Sequence, residues 1–232
     1  MSRFSGLRGS DARAADVGAL VRAGRMFARG VLRKWRFGAS EGPLFIGRGV
    51  RLSGLRHVRH TGRLVIEDDA ELQGLSSEGI RFGSDVSIGA RTAIRPSSYY
   101  GGEAGVGLTV GDRSSFNAGC FIGCSGRITI GSDVMFGPGV QVYSENHVFA
   151  DPNRPIKEQG VERSFVTIED DCWIGAGTIV TAGVTIGRGS VIGSGSVVTR
   201  DIPAGSIAVG APARVVGRRD AEKTAAGDAA GA

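Results

Sequence analysis

The chain has 232 residues, 41% of them apolar, which favours a folded body over a disordered or membrane-spanning one. Glycine supplies 39 residues, well over twice the usual ~7%, yet no Gly-X-Y period is present, so collagen is excluded and a glycine-rich ordered backbone is required. The net charge of +5 is uneven: residues 1–37 carry nine Lys/Arg against Asp11 and Asp16, so the remainder is slightly acidic and offers no general nucleic-acid surface.

Residues 17–37 predict an α-helix within a basic arm spanning 1–43. At 100° per residue Leu20, Val21, Phe27, Val31, Leu32 and Trp35 share one side, and Arg22, Arg25, Arg29, Arg33 and Arg36 line the other. Such a helix packs on the body or on a neighbouring subunit with its charges in solvent, or makes peripheral contact with an anionic membrane. No apolar run long enough for a secretory leader follows the basic N-terminus. A cytoplasmic protein, at the inner membrane if the helix engages lipid, is the expectation.

From about residue 44 an aliphatic or Phe side chain recurs every six residues. The first runs are Ile46, Leu52, Val58, Leu64, then Phe82, Ile88, Ile94, then Val110, Phe116, Ile122, Ile128. Ile130, Phe136, Val142 and Ile168, Ile174, Val180, Ile186, Ile192, Val198 complete the set. A period of six fits neither a helix nor a plain alternating strand, so each unit is a short strand and a turn. Glycine often follows the aliphatic, as at Gly89, Gly137, Gly175 and Gly193, where a corner needs φ > 0 or close backbone approach. Small or β-branched residues stand two places before it, among them Cys120, Val134, Cys172, Thr178, Ser190 and Ser196. Stacked coils with the aliphatics inside would form one continuous core over residues 44–217.

Two stretches interrupt the period. The lesser is 96–107; the greater is 144–165, "SENHVFADPNRPIKEQGVERSF", expected to protrude as a loop on the binding side. After Asp201-Ile202-Pro203 the chain stops stepping by six and is expected to close the solenoid, with 218–232 as a tail.

The three histidines divide by context. His57 and His60 lie among arginines in "RHVRH" and are expected on a solvated face, whereas His147 opens the great interruption beside Glu145, Asn146 and Asp151. A neutral imidazole there can take a proton from a nucleophile and return it, with a carboxylate fixing its tautomer. Cys120 and Cys172 occupy the small-residue slot, Cys124 has no credible partner ligands, and an odd number of cysteines suits a reducing compartment; no metal site is expected.

The hexads resemble those of the hexapeptide-repeat acyltransferase family, which implies an all-β fold: a left-handed parallel β-helix of triangular section, here with an N-terminal amphipathic helix and a protruding loop. "VYSENHVFADPNRPI" looks like the segment that carries the general-base histidine of the family, which would be His147, with Glu145 or Asp151 orienting it. "DDCWIGAGTIVTAGVTIGRGSVIGSGSVVTRDIPAGSIAVGAPARVV" resembles the acetyl-CoA-binding half of maltose, galactoside and surface-glycan O-acetyltransferases. The resemblance carries cofactor contact to Trp173, Gly175, Ala176, Gly193, Ser194, Thr199, Arg200 and Arg214, in a groove between two subunits of a homotrimer. Asn117, in "SSFNAGC", matches the asparagine that meets the acceptor, and Asn146 beside the base is a second substrate-binding candidate.

The function so implied is transfer of acetyl from acetyl-CoA to a hydroxyl of a sugar or glycan in surface polysaccharide biosynthesis, directly and with His147 as base. His-Val-Phe-Ala-Asp-Pro replaces the His-Pro-Leu-Asp of relatives acting on free sugars, which points to the glycan branch. N-acetylation of an amino sugar and a non-catalytic scaffold remain alternatives.

Overall fold

The computed structural model describes residues 9–96 and 103–219. The tip of the lesser interruption, at 97–102, and the expected tail beyond Arg219 lie outside the described residues.

Short strands stack into three parallel sheets that form the walls of a triangular β-helix. Face 1 runs from Ala39–Glu41 to Val184–Ile186, face 2 from Leu44–Ile46 to Val191–Ile192, and face 3 from Arg51–Ser53 to Val197–Val198. The hexads explain the register. Ile130 pairs with Ile168 and Ile168 with Ile186 on face 1; Phe136, Ile174 and Ile192 align on face 2; Val142, Val180 and Val198 align on face 3. Three hexads therefore make one coil, and each inward side chain sits on its counterpart one coil away. Ile46, Ile88, Ile122, Ile168, Ile174 and Ile192 are all fully enclosed. Each such side chain contributes about 1.5–3 kcal/mol of burial.

The small-residue slot has a polar use as well as a steric one. Ser114 Oγ donates to Gly131 O at 2.8 Å, Ser196 Oγ to Gly193 O at 2.6 Å and Ser190 Oγ to Pro203 O at 3.0 Å, so buried hydroxyls satisfy carbonyls at the coil corners. Cys120 and Cys172 fill the same slot, and their thiols reach Gly137 O and Gly187 O. Burial raises both thiols and pushes Cys124 up to about 12, which leaves all three protonated.

Of the two reasons offered for glycine after the aliphatic, close approach is the operative one. A Cβ on Gly175 would lie 2.5 Å from Ser194 N, and one on Gly137 would lie 2.6 Å from Ala176 N. The left-handed turn positions fall two residues later, at Gly177 with φ 66° for example, or are taken by Asp133 and Asp171.

The N-terminal helix α1 spans Gly9–Arg33 and continues as a 3-10 turn over Lys34–Arg36, so it starts earlier than expected. Its orientation corrects the expectation further. The side turned to the solenoid is Met26, Gly30 and part of the basic stripe, and of the expected apolar side Phe27 reaches the solenoid, its ring 5.5 Å from that of Phe45. Arg29 Nε donates to Ile46 O at 2.7 Å, Lys34 Nζ to Gly42 O at 3.2 Å, and Arg22 approaches Asp68 at 3.6 Å. Gly30 lies so close to Leu44 that a Cβ would fall 1.8 Å from the Leu44 oxygen. Leu20, Leu32 and Trp35, 72–80% exposed, face away. The first coil has no coil before it to use its outward carbonyls, and cations satisfy that open edge better than aliphatic side chains can.

His60 is also a correction: it is buried, not solvated. On Val58–Thr61 the alternation turns Val58 and His60 inward and Arg59 outward. The ring bonds to Ser40 Oγ, reaches Gly62 O at 3.1 Å and meets Phe37 edge-on at 5.9 Å.

Candidate functional site

The great interruption is a structured projection. Glu145–His147 pairs antiparallel with Val161–Arg163, and a four-residue helix, α2 (Ile156–Gln159), lies between them. The hairpin leaves the solenoid after Tyr143, at the corner between faces 3 and 1, and the chain returns to face 1 at Phe165. Its base is fastened twice. Ser125 Oγ donates to Glu145 Oε2 at 2.6 Å, and the Arg163 guanidinium donates to Ala104 O and Glu103 O.

His147 stands at the end of its strand, exposed, in a surface hollow of about 420 Å³ with Asn146, Val148, Phe149 and Glu162. No hydrogen bond to its ring occurs among the described residues. Glu145 and His147 share one side of the hairpin, since strand side chains alternate, but the Glu145 carboxylate is occupied by Ser125. Asp151 Oδ1 accepts from Asn153 N at 2.9 Å and closes a local turn. Neither carboxylate proposed to orient the imidazole does so within one chain.

Asn117 lies elsewhere. It follows the face 2 strand Ser115–Phe116, is exposed, and lines a separate hollow of about 210 Å³ with Glu67, Ser87 and Phe136. Its own side-chain oxygen accepts from Ala118 N at 2.8 Å. Backbone pairs Asn117 N→Phe136 O, Gly137 N→Ile174 O, Gly175 N→Ile192 O and Gly193 N→Ala208 O stack these residues on one corner, between faces 2 and 3. Ala176 and Ser194 follow on that corner, both exposed. Trp173 projects from face 2, 52% exposed, beside Met135 at 55% on the adjoining rung. Beyond Val191–Ile192 face 2 is extended by Ser206–Gly210 and then by Ala213–Arg218, which runs antiparallel to it and carries an exposed Arg214.

Thr199 and Arg200 are on the other corner, after the final face 3 strand, the same corner from which the His147 hairpin leaves. Arg200 and Arg214 make no ion pair among the described residues. These candidates therefore do not meet inside one chain: the corners are separated by a whole face, up to roughly 20 Å for six residues. One corner presents Asn117 with Trp173, Ala176 and Ser194; the other presents His147 with Thr199 and Arg200.

Sequence reasoning missed Met135 and Ser125. Met135 could have been found from register alone, because subtracting the interruption places it one rung from Trp173; Ser125 falls between the hexad positions Ile122 and Ile128, and the period marks only inward packing there. The glycines Gly175 and Gly193 are placed where coil packing demands them, since a Cβ at Gly193 would lie 2.7 Å from Val209.

The family model described as bacterial transferase hexapeptide (six repeats) matches residues 165–200. Nodulation protein L of Rhizobium meliloti is 40% identical over 132 residues, which cover 56% of this chain and 69% of that protein. The galactoside O-acetyltransferase of Escherichia coli is 33% identical over 131 residues, 56% of this chain and 62% of that one. Among solved structures, the N-acyltransferase AntD from Bacillus cereus superposes with a TM-score of 0.52 at 20% identity, over 87% of this chain and 94% of its own, a likeness of fold. With its stacked hexads and these relatives, the chain belongs to the hexapeptide-repeat acyltransferase family, whose body is a left-handed parallel β-helix.

Proposed function

We propose that the protein is an O-acetyltransferase that moves acetyl from acetyl-CoA to a sugar hydroxyl of a surface glycan or its precursor, as a homotrimer with His147 as general base. The observation that carries the reading is the division of the candidate residues between two corners. A threefold assembly brings a corner of one copy against a different corner of the next, and a site shared in that way would unite His147 with Asn117.

The residues present suit the donor. Trp173 and Met135 offer an apolar strip for a long flexible arm, and the guanidinium groups of Arg200 and Arg214, exposed and without an ion pair among the described residues, suit phosphate oxygens. When bound, acetyl-CoA supplies an acetyl group activated as a thioester. His147, with no ring hydrogen bond among the described residues, accepts the acceptor hydroxyl's proton on a ring nitrogen as that oxygen attacks, then returns it to the departing sulfur. Asn117 would hold the acceptor. The buried cysteines, held protonated, are not available as nucleophiles, which favours direct transfer.

The test is release of free thiol from acetyl-CoA with galactosides, oligosaccharides and amino sugars as acceptors. Acetylation of a sugar hydroxyl supports the reading. Transfer confined to amino groups would make the protein an N-acetyltransferase, and absence of acetyl-CoA binding by an intact oligomer would leave only a scaffold.

A further inference from the structure

The outer side of α1 is apolar and bare. Val17, Leu20, Val21, Val31, Leu32 and Trp35 are 48–80% exposed, on the side opposite Met26. A patch of this kind on a helix is a contact surface.

What it contacts is indicated by the charge next to it. Trp35, held by its ring N–H to Leu32 O at 3.1 Å, borders a cleft of about 960 Å³ with Arg36, Leu55, Arg56, His57 and Leu75. Arg56 and His57 continue that cleft into a second groove that contains Arg59 and Arg81. Arg59 and Arg81 stand opposite each other on adjoining rungs of face 1, like charges at strand spacing. Glu78 also lines this groove, but its carboxylate is bonded to Arg127, which holds it below the usual range. Arg36, Arg56, Arg59 and Arg81 form no ion pair among the described residues. Four cations therefore lie along the cleft and groove, faced among the lining residues by a single carboxylate, Glu78, which Arg127 already engages, and beside an apolar strip that ends in an exposed indole.

We propose that the outer side of α1 and this basic cleft form one docking surface for an anionic lipid bilayer. The aliphatic residues of α1 would enter the headgroup–acyl boundary, Trp35 would sit at the headgroup level, and the arginines would take lipid phosphates. A soluble polyanion would satisfy the arginines and leave the helix side in water. A second copy of the chain would cover the helix side and leave the arginines without anions. Only a surface that is apolar and anionic at once answers both. The inference stands apart from the acetyl-transfer reading.

The experiment is sedimentation of the full chain with vesicles of phosphatidylcholine, alone or with about one third phosphatidylglycerol. Binding is expected to the mixed vesicles only, and to weaken with added salt. Trp35→Asp, and the triple change Arg56→Gln, Arg59→Gln, Arg81→Gln, should each reduce it by roughly tenfold or more, with the mass by light scattering unchanged. Equal binding to both vesicle types, or full retention by either variant, overturns the proposal. So does loss of mass on Trp35→Asp, which would make the helix side a subunit contact. A free polyphosphate that binds as tightly as the mixed vesicles, and equally to wild type and Trp35→Asp, would reassign the cleft to soluble polyanions.

Discussion

Ser125 Oγ donates to Glu145 Oε2 at 2.6 Å, and so ties the strand that ends in His147 to the coil beneath it. Glu145 thereby acts as an anchor of the hairpin, two residues from the imidazole, and its influence on chemistry passes through position. Ser125→Ala should lower kcat by a few-fold, with the KM for acetyl-CoA little changed, because the cofactor candidates lie on another corner or beyond the hairpin. Glu145→Gln keeps an acceptor oxygen for Ser125 and should be milder than Glu145→Ala. A Glu145→Gln loss as deep as that of His147→Ala would instead give the carboxylate a direct part in proton transfer.

His147→Ala should lower kcat by roughly 10²–10⁴-fold, the usual share of a positioned acid–base group. Thermal stability should be unaffected, since the side chain is exposed and makes no hydrogen bond among the described residues. His57→Ala provides the contrast: it lies in the cleft by Trp35, and turnover with a soluble acceptor should persist. Steady-state rates of thiol release decide between them, and near-normal turnover by His147→Ala would remove the general base from this residue.

Much of the fold was legible because the hexad encodes inward positions directly: the series from Ile168 to Val198 traces two successive coils face by face. The projecting segment was legible for the converse reason, as a loss of period. The orientation of α1 was not. A helical wheel separates Leu20 and Trp35 from Arg22 and Arg29, but which side faces the body depends on the unpaired carbonyls of the first coil, and those exist only once the coil has closed. His60 was misjudged because flanking arginines suggested solvent, while strand alternation turned every second residue of that segment inward. The candidate site was legible as residue types and not as a place, since Asn117 and His147 belong to different corners.

Two glycines two residues apart test the separate reasons for glycine. Gly175→Ala puts a Cβ 2.5 Å from Ser194 N, so neighbouring coils must part, at about 1–3 kcal/mol. Gly177 has open space but φ 66°, so Gly177→Ala should cost about 1–2 kcal/mol through its backbone alone. Asp171 occupies the equivalent turn with φ 58°, which predicts that Gly177→Asn is nearly neutral while Gly175→Asn is not. Melting temperatures of the four variants check this, and equal losses for Gly175→Asn and Gly177→Asn would contradict the distinction.

Burial lowers the pKa of His60; the carbonyl of Gly62 opposes this, Lys34 adds to it and Glu41 opposes it. The unfolded imidazole therefore binds a proton more readily than the folded one, so stability is full above about 6.5 and falls as the pH drops through the lower folded value. Denaturation midpoints measured from about pH 7.5 to about pH 5.5 should decline in the wild type and decline less in His60→Gln, which cannot titrate. Parallel curves would show that His60 is not a source of the acid sensitivity.

The last prediction concerns the division of the site itself. His147 leaves one corner of the triangle and Asn117 sits on another, so a shared site needs His147 from one copy and Asn117 from its neighbour. If the protein assembles as the proposed trimer, the His147→Ala and Asn117→Ala variants should each be impaired. Unfolded together and refolded in equal amounts, the two chains would form mixed trimers. Some interfaces there join the intact His147 of an Asn117→Ala chain to the intact Asn117 of a His147→Ala chain. For a ring of three with random assembly, roughly a quarter of the interfaces regain both residues, so activity should rise well above either parent. Recovery must depend on co-refolding, because simply mixing two stable trimers exchanges no chains. If both residues served a site within one chain, every site in the mixture would still lack one of them, and co-refolding would restore nothing.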